Sequence, residues 1–401
     1  MTIKRYLTLL IAWFYATTIM AQTYQAGTVY LGTKNYVEYD AGNLPIIITA
    51  PHGGYTEPTT IPDRNCINCT TIMDANTQEL ARQIDTALRQ EFGCVPHIII
   101  NRLHRKKLDA NREIVEAANG ATEAEVAWRE WHEYIQAAKN DVVRRYGRGL
   151  LIDLHGHGHT IQRLEVGYLW DDPDLRLSDS VLSTPQYINR LSIKNLVLNN
   201  RNNFNAAQLV RGQFALGTLL ATNGFPAVPS QQDVAPVVGD LYFNGGYNTQ
   251  RHGSRDSTTI DGIQIECNFT GVRNTYANRK RFATELATAL KVYLGKHYFA
   301  STNFGCQTGT AENESSSGIS VYPNPAHSTL NIHLKDKVQG SFIASLYNLQ
   351  GQLVLQKTFN KTNDSDLILD LPNPLSIGMY FLRLVNENSF LFKQTKVFIV
   401  L

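Results

Sequence analysis

Apolar positions along this chain follow two rhythms. Between residues 40 and 300, continuous apolar runs alternate with helical spacings. Leu44 to Ala50 (LPIIITA) is an unbroken apolar run, the pattern of a strand buried on both faces of a parallel sheet. Thr77 to Phe92 follows with Leu80, Ile84 and Leu88 spaced by four and Gly93 as a stop, which predicts an amphipathic helix. His97 to Ile100 predicts a second strand. Val126 to Tyr146 carries Trp128, Trp131, Ile135, Ala138 and Val142, spaced 3, 4, 3 and 4, and predicts a helix ending at Gly147. Gly149 to Leu154 (GLLIDL) predicts a third buried strand. Ala206 to Thr222 predicts a helix closed by Gly224, Ile260 to Cys267 a further strand, and Asn278 to Lys296 a terminal helix with Phe282, Leu286 and Leu290. Alternating strands and helices predict an α/β domain: an open, mostly parallel sheet with helices on both faces. In such sheets the chemistry gathers at the carboxyl ends of the strands.

The second rhythm begins after residue 318. Leu330, Ile332 and Leu334 alternate, Tyr347 to Gln352 has turn composition, and Met379 to Leu384 and Lys396 to Leu401 complete the pattern. About 80 residues of short strands predict a small β-sandwich. Residues 301–318 are small and polar, as in a linker. At the other end, Lys4 and Arg5 precede an uncharged apolar run from Leu7 to Ile19 and the small residue Ala21. That run falls short of the ~20 residues a membrane-spanning helix needs, so residues 1–21 read as a secretory signal peptide cleaved after Ala21. No other run is long enough to span a bilayer, so no transmembrane segment is expected in the mature chain.

The segment 319–401 resembles the C-terminal sorting domain of the type IX secretion pathway, through VYPNPA, YNLQGQLV, GMYFLRL and the terminal KVFIVL. The resemblance implies recognition by the type IX machinery and export across the outer membrane, to the cell surface or beyond. The expected organisation is a signal peptide (1–21), an α/β domain (22–300), a linker (301–318) and a sorting domain (319–401).

Composition removes other partners. Across 401 residues, 37 Lys and Arg against 35 Asp and Glu leave a formal charge of +2, with 43% hydrophobic and 18% charged residues. This is neither a disordered polyelectrolyte nor a chain with a field that draws nucleic acid. The 5 cysteines are too few for a disulfide scaffold. Among a second zinc half-site, a redox pair and a loop-stapling disulfide for Cys66-Ile67-Asn68-Cys69, export to an oxidising compartment favours the disulfide. Cys94, Cys267 and Cys306 leave an odd number, with Cys267 expected buried and free and Cys306 in the linker.

The polar residues that follow the predicted strands carry the chemistry. Pro51-His52-Gly53-Gly54 follows the first, His155-Gly156-His157-Gly158-His159 the third, and Asp74-Ala75-Asn76-Thr77 opens the first helix. Imidazoles and a carboxylate gathered into one cleft suit one zinc ion with an open fourth position. His52 and His155 are the expected histidine ligands. His157 and His159 are expected beside the metal or in contact with substrate, and Asp153 is read as pointing away as a packing or supporting group. For the carboxylate ligand, Asp74 competes with Glu57 and, more weakly, Asp63, and Asp74 also reads as a helix N-cap. Glu266 ends an apolar strand, where burial is costly without a task, and suits a general acid and base. In the run Asp109-Ala110-Asn111-Arg112, Asn111 and Arg112 suit a substrate carboxylate, with Arg105 as oxyanion support. Tyr242 to His252 reads as a Gly-hinged loop from which Tyr247 and Arg251 close over a substrate.

In order, APHGG, D-x-x-T-x-E-L-A, LDANR, LIDLHGH, FNGGY–RHG and IQIE resemble the N-formylglutamate amidohydrolase family over about residues 45–296. That family is similar in fold to zinc carboxypeptidases and to phage enzymes that cut poly-γ-glutamate. The resemblance implies a mononuclear zinc amidohydrolase: His52, Asp74 and His155 on the metal, Glu266 as general base, Asn111 and Arg112 on the substrate carboxylate. The expected activity is cleavage of an amide bond near a carboxylate. The alternatives are a carboxypeptidase-like or poly-γ-glutamate-cleaving peptidase and a non-catalytic surface binding protein.

Overall fold

A computed structural model describes residues 24–67, 69–306, 319–334, 340–348, 353–361, 367–372, 375–386 and 390–399. The expected signal peptide and most of the expected linker lie outside the described residues. The chain divides into two compact units, one to residue 308 and one from residue 309.

The first unit is built on an eight-stranded sheet: β1 (Val29–Leu31), β2 (Val37–Asp40), β3 (Ile46–Ala50), β4 (His97–Asn101), β5 (Gly149–His157), β6 (Leu164–Gly167), β7 (Ala227–Val228) and β8 (Ile260–Asn268), in the order β1-β2-β4-β3-β5-β8-β6-β7. The central β4, β3, β5 and β8 run parallel. β1 and β2 extend one side antiparallel, and β6 joins the other antiparallel to β8. The apolar runs divide by period two. Ile46, Ile48, Ile98, Ile100, Leu150, Ile152, Ile263 and Ile265 face helices Thr77–Phe92 and Tyr276–His297. Ile47, Ile99, Leu151 and Ile260 face Trp131, Ile135 and Val142 of helix Thr122–Tyr146. Both faces are therefore covered, which is why these strands read as continuous apolar runs instead of alternating ones.

Three elements differ from expectation. Ala206–Thr222 is two helices, Ala206–Arg211 and Leu216–Thr222, because Gly212 takes an extended conformation and its carbonyl accepts the Thr218 hydroxyl at 2.7 Å. β5 continues through His157, since its ladder with β8 extends to His155↔Glu266, Gly156↔Cys267 and His157↔Asn268. The HGH residues are thus part of the strand and not a turn after it. Residues 247–252 form a short helix where a loop was expected, started by Thr249, whose hydroxyl donates to the Gly246 carbonyl and accepts the Gly246 N–H, both at 2.9 Å.

Cys66–Cys69 is a disulfide and Cys267 is buried and free. Cys94 and Cys306 also pair, which uses up two of the odd three. Phe304 packs on Phe92 and Tyr146, so residues up to 306 belong to the first unit.

The second unit holds two antiparallel sheets. One orders Leu367–Asp370, Thr329–Leu334 and Ile319–Tyr322; the other orders Leu353–Lys361, Gly340–Tyr347, Gly378–Asn386 and Phe390–Ile399. Alternate residues Leu330, Ile332, Phe342, Ala344, Leu346, Leu382 and Leu384 form its core, as the alternating pattern requires.

Candidate metal centre

The carboxyl ends of β3, β5 and β8 meet at one point. His52 leaves β3 immediately after Pro51, whose carbonyl is held by the Asn101 amide at 2.8 Å. A side chain at Gly54 would collide with the Arg102 and Leu103 backbone, so only glycine lets the chain pass the end of β4 here. The Asp74 N–H donates to the His52 carbonyl at 3.0 Å, and the Asp74 carbonyl accepts the Thr77 hydroxyl at 2.8 Å. The N-cap of the following helix is Asn76, which leaves the Asp74 carboxylate free of capping.

That carboxylate meets both imidazoles. Asp74 Oδ2 lies 3.4 Å from His52 Nδ1 and 3.3 Å from His155 Nδ1. Ligand atoms about 2.0–2.1 Å from a tetrahedral zinc ion are separated by roughly 3.3 Å, so both imidazole–carboxylate separations suit one ion, and the ligand atoms of the three residues all lie within 4.8 Å of one another. The far nitrogens are tied down by acids: His52 Nε2 to Asp109 Oδ1 at 2.6 Å and His155 Nε2 to Asp153 Oδ2 at 2.8 Å. An acid at Nε2 holds the ring proton there and leaves the Nδ1 lone pair bare. His52 Nδ1 is buried with no hydrogen-bond partner, an orphan that a cation satisfies. The donor set and its spacing fit a zinc ion.

Charges in the site oppose one another. Burial works to raise Asp74, but His52 and His155 outweigh it and hold its carboxyl below the ordinary range. Burial likewise works to raise Asp109, and His52, Arg105 and Arg112 hold it well below that range. Burial pushes Glu266 up to about 8, with His155 pulling against it and Asp74 and Glu165 adding to it. Glu266 Oε1 lies 4.0 Å from His155 Nδ1 and accepts the Gln264 amide at 3.1 Å. His155, Glu266 and Glu165 are successive register partners across β5, β8 and β6, so they form one row on one face of the sheet.

Other expected residues are placed as follows. Glu57 is paired with Lys106 at 2.6 Å and Asp63 with Lys107 at 2.7 Å, and neither joins the group formed by His52, Asp74 and His155. Asp153 does not point away: two residues from His155 on the same strand, it shares that side chain's face and braces it. Arg105 Nη1 lies 3.3 Å from Asp74 Oδ1 and its Nε donates to Asp109 Oδ2 at 3.0 Å, so its charge is engaged by the two acids. Asn111 Oδ1 accepts the Asn248 backbone N–H at 2.7 Å, and Asn111 Nδ2 lies 3.4 Å from His155 Nε2. Arg112 is partly exposed and pairs with Glu116 at 3.1 Å. Tyr247 and Arg251 contact each other at 2.6 Å, and Arg251 lies over Trp128. His157 is spent on the Arg163 carbonyl at 2.8 Å, and His159 on Glu165 at 2.7 Å.

Two contributors went unseen in the sequence. Asp109 lies in the LDANR run but was passed over for the Asn-Arg pair beside it. Arg273, buried, donates Nε to the Cys267 carbonyl at 2.9 Å, Nη2 to the His157 carbonyl at 3.0 Å and Nη1 to the Ala75 carbonyl. One guanidinium thus ties the Asp74 loop, the end of β5 and the end of β8, and no local motif marks it.

No curated protein matches the chain. Among solved structures, N-formylglutamate amidohydrolase from Ralstonia eutropha JMP134 is similar at 14% identity, covering 67% of this chain and 98% of that one, with a TM-score of 0.38. A DUF3244 family protein with an immunoglobulin-like β-sandwich fold from Bacteroides vulgatus ATCC 8482 is similar at 11% identity, covering 20% of this chain and 81% of that one, with a TM-score of 0.17. Among the described residues no helix is long and apolar enough to cross a membrane. Residues 320–400 match the secretion system C-terminal sorting domain, and the chain is accordingly an export substrate of the type IX route, destined for the cell surface or beyond.

Proposed function

We propose that the first unit is a zinc-dependent amidohydrolase acting outside the cell on an amide bond near a substrate carboxylate. The observation that carries this reading is Asp74 Oδ2 at 3.4 Å from His52 Nδ1 and 3.3 Å from His155 Nδ1, with a buried glutamate on the adjoining strand. A zinc ion held by these three supplies Lewis acidity, polarising an amide carbonyl and making water acidic at neutral pH. Asp109 and Asp153 keep the two imidazoles turned and protonated on the far side. Glu266, at the strand end, in its ionised form would accept a proton from the attacking water and return it to the departing nitrogen. Arg112, the partly exposed guanidinium next to the site, offers a fork to the substrate carboxylate.

The test is hydrolysis by the purified chain over N-acyl amino acids, γ-glutamyl chains and short peptides, with chelator controls and metal analysis. His52→Ala or His155→Ala is expected to lose zinc. Glu266→Gln is expected to keep zinc and fold and to slow turnover by about 10²–10⁴. Full activity in Glu266→Gln, or activity untouched by chelation, rejects the mechanism.

A further inference from the structure

Away from the donors, helix Thr122–Tyr146 borders two hollows that share Gln136. One, of about 300 Å³, includes Trp128, His132, Arg251 and His252 in its walls. The other, of about 390 Å³, includes Lys139, Thr258 and Thr259. Residues 128, 132, 136 and 140 are four apart, so one stripe of the helix forms the common wall.

The chemistry of this groove is unbalanced. Lys139 is only 4% exposed, yet no hydrogen bond or ion pair holds its ammonium among the described residues. Burial lowers it to about 8, and the charge acting on it is another cation, Arg251. Arg251 itself is exposed, meets the Tyr247 hydroxyl and lies 5.1 Å from the Trp128 ring centre. His132 and His252 are hydrogen-bonded to each other at 2.8 Å, and His132 Nε2 is buried without a partner. The other charges at the rim are Arg129, paired with Glu125 at 3.0 Å, Arg144, paired with Asp141, and the exposed Glu133. Among the described residues no anion neutralises the Lys139 ammonium, and a second cation, Arg251, and the unsatisfied His132 Nε2 belong to the adjoining hollow.

We propose that these two adjoining hollows form a carboxylate-binding site whose walls include none of the metal donors, with Lys139 lining one, Arg251 lining the other and Trp128 as the flat wall for the carbon skeleton. The ligand is a small dicarboxylate or an acidic side chain of a bound peptide. The short helix Tyr247–His252 connects the two places: Asn248 donates to Asp153 Oδ1 at 3.2 Å, while Arg251 and His252 face the groove.

The experiment is calorimetric titration of the full chain with glutarate and, separately, with an end-blocked peptide carrying one glutamate. Both titrations are repeated after the metal is stripped by chelation, so the outcome does not depend on the proposed hydrolysis. Saturable binding is expected with the metal present or absent, and the tighter of the two probes identifies the source of the carboxylate. Lys139→Met is expected to weaken binding by about tenfold or more, the loss of one charge-assisted contact, while keeping or raising the thermal midpoint. Arg251→Gln, which leaves Lys139 in place, is expected to weaken it as well. Absence of saturable binding of either probe, or equal affinity in wild type and a folded Lys139→Met, overturns the proposal.

Discussion

Replacing Asp109 with Asn tests whether the acid behind His52 sets the metal site. The carboxylate is buried, its Oδ1 2.6 Å from His52 Nε2 and 3.1 Å from the Asn111 N–H, its Oδ2 3.0 Å from Arg105 Nε. Asparagine has the same outline but one oxygen. With that oxygen toward His52, its NH₂ confronts the guanidinium donors that now face Asp109 Oδ2, Arg105 Nε at 3.0 Å and Arg64 Nη1 at 3.7 Å. With the NH₂ toward His52, the imidazole must move its proton to Nδ1 and lose the lone pair that faces Asp74. The first arrangement costs on the order of 1–3 kcal/mol for a buried unsatisfied donor, and the second abolishes a ligand. Loss of such a supporting acid lowers metal affinity by about 10–100-fold, or ~1.4–2.8 kcal/mol. The assay is competition for zinc against a chelator of known affinity, with circular dichroism as the control for folding. In a His52→Ala background, Asp109→Asn should add little, because its effect passes through that imidazole. Zinc affinity within twofold of wild type in a folded Asp109→Asn refutes the reasoning.

Arg273→Lys keeps a charge but cannot reach three carbonyls, so zinc affinity and thermal midpoint should fall together; a drop in midpoint with zinc affinity intact would limit Arg273 to folding. Cys94→Ser opens a loop with a sequence separation of 212, and should cost about 2–5 kcal/mol of stability by denaturant titration; a reductant, which also opens Cys66–Cys69, should cost wild type at least as much. His97, buried with Nδ1 receiving the Tyr39 hydroxyl at 2.9 Å, has its pKa lowered by burial to about 4. The unfolded chain takes up that proton near pH 6.5 and the folded chain does not until about pH 4. Stability is therefore fully present above pH 6.5 and lost as pH falls toward 4, by at most about 3 kcal/mol. His97→Phe should flatten that slope of denaturation midpoint against pH, and an unchanged slope would clear His97.

The sheet was legible because β3, β4, β5 and β8 are buried on both faces and so are spelled as unbroken apolar runs. His52, Asp74 and His155 were legible because each stands beside a strand end or helix start that the apolar pattern had already marked. What supports them was not. Asp109 is contributed by an irregular segment whose position depends on distant contacts, and Arg273 acts only on carbonyls, which carry no sequence signature. The error over Asp153 was one of parity: reading β5 as ending at Leu154 cut its alternation short, whereas the ladder with β8 carries Asp153 and His155 onto the same face. The helix break at Gly212 was hidden by apolar residues on either side that suit one long helix as well as two short ones. The Cys94–Cys306 pair joins positions that no local pattern relates.

That pair bears on the life history of the chain. A thiol couple stays reduced in the cytoplasm and closes only in an oxidising compartment. The first unit therefore leaves the cytoplasm without its clasp, and a sequence separation of 212 is enclosed when the bond forms. Because the clasp ends at residue 306, proteolytic release of the sorting domain at any later bond leaves it whole. Transit can thus begin with a looser chain and end with a fastened one, ready to outlast the loss of its address label.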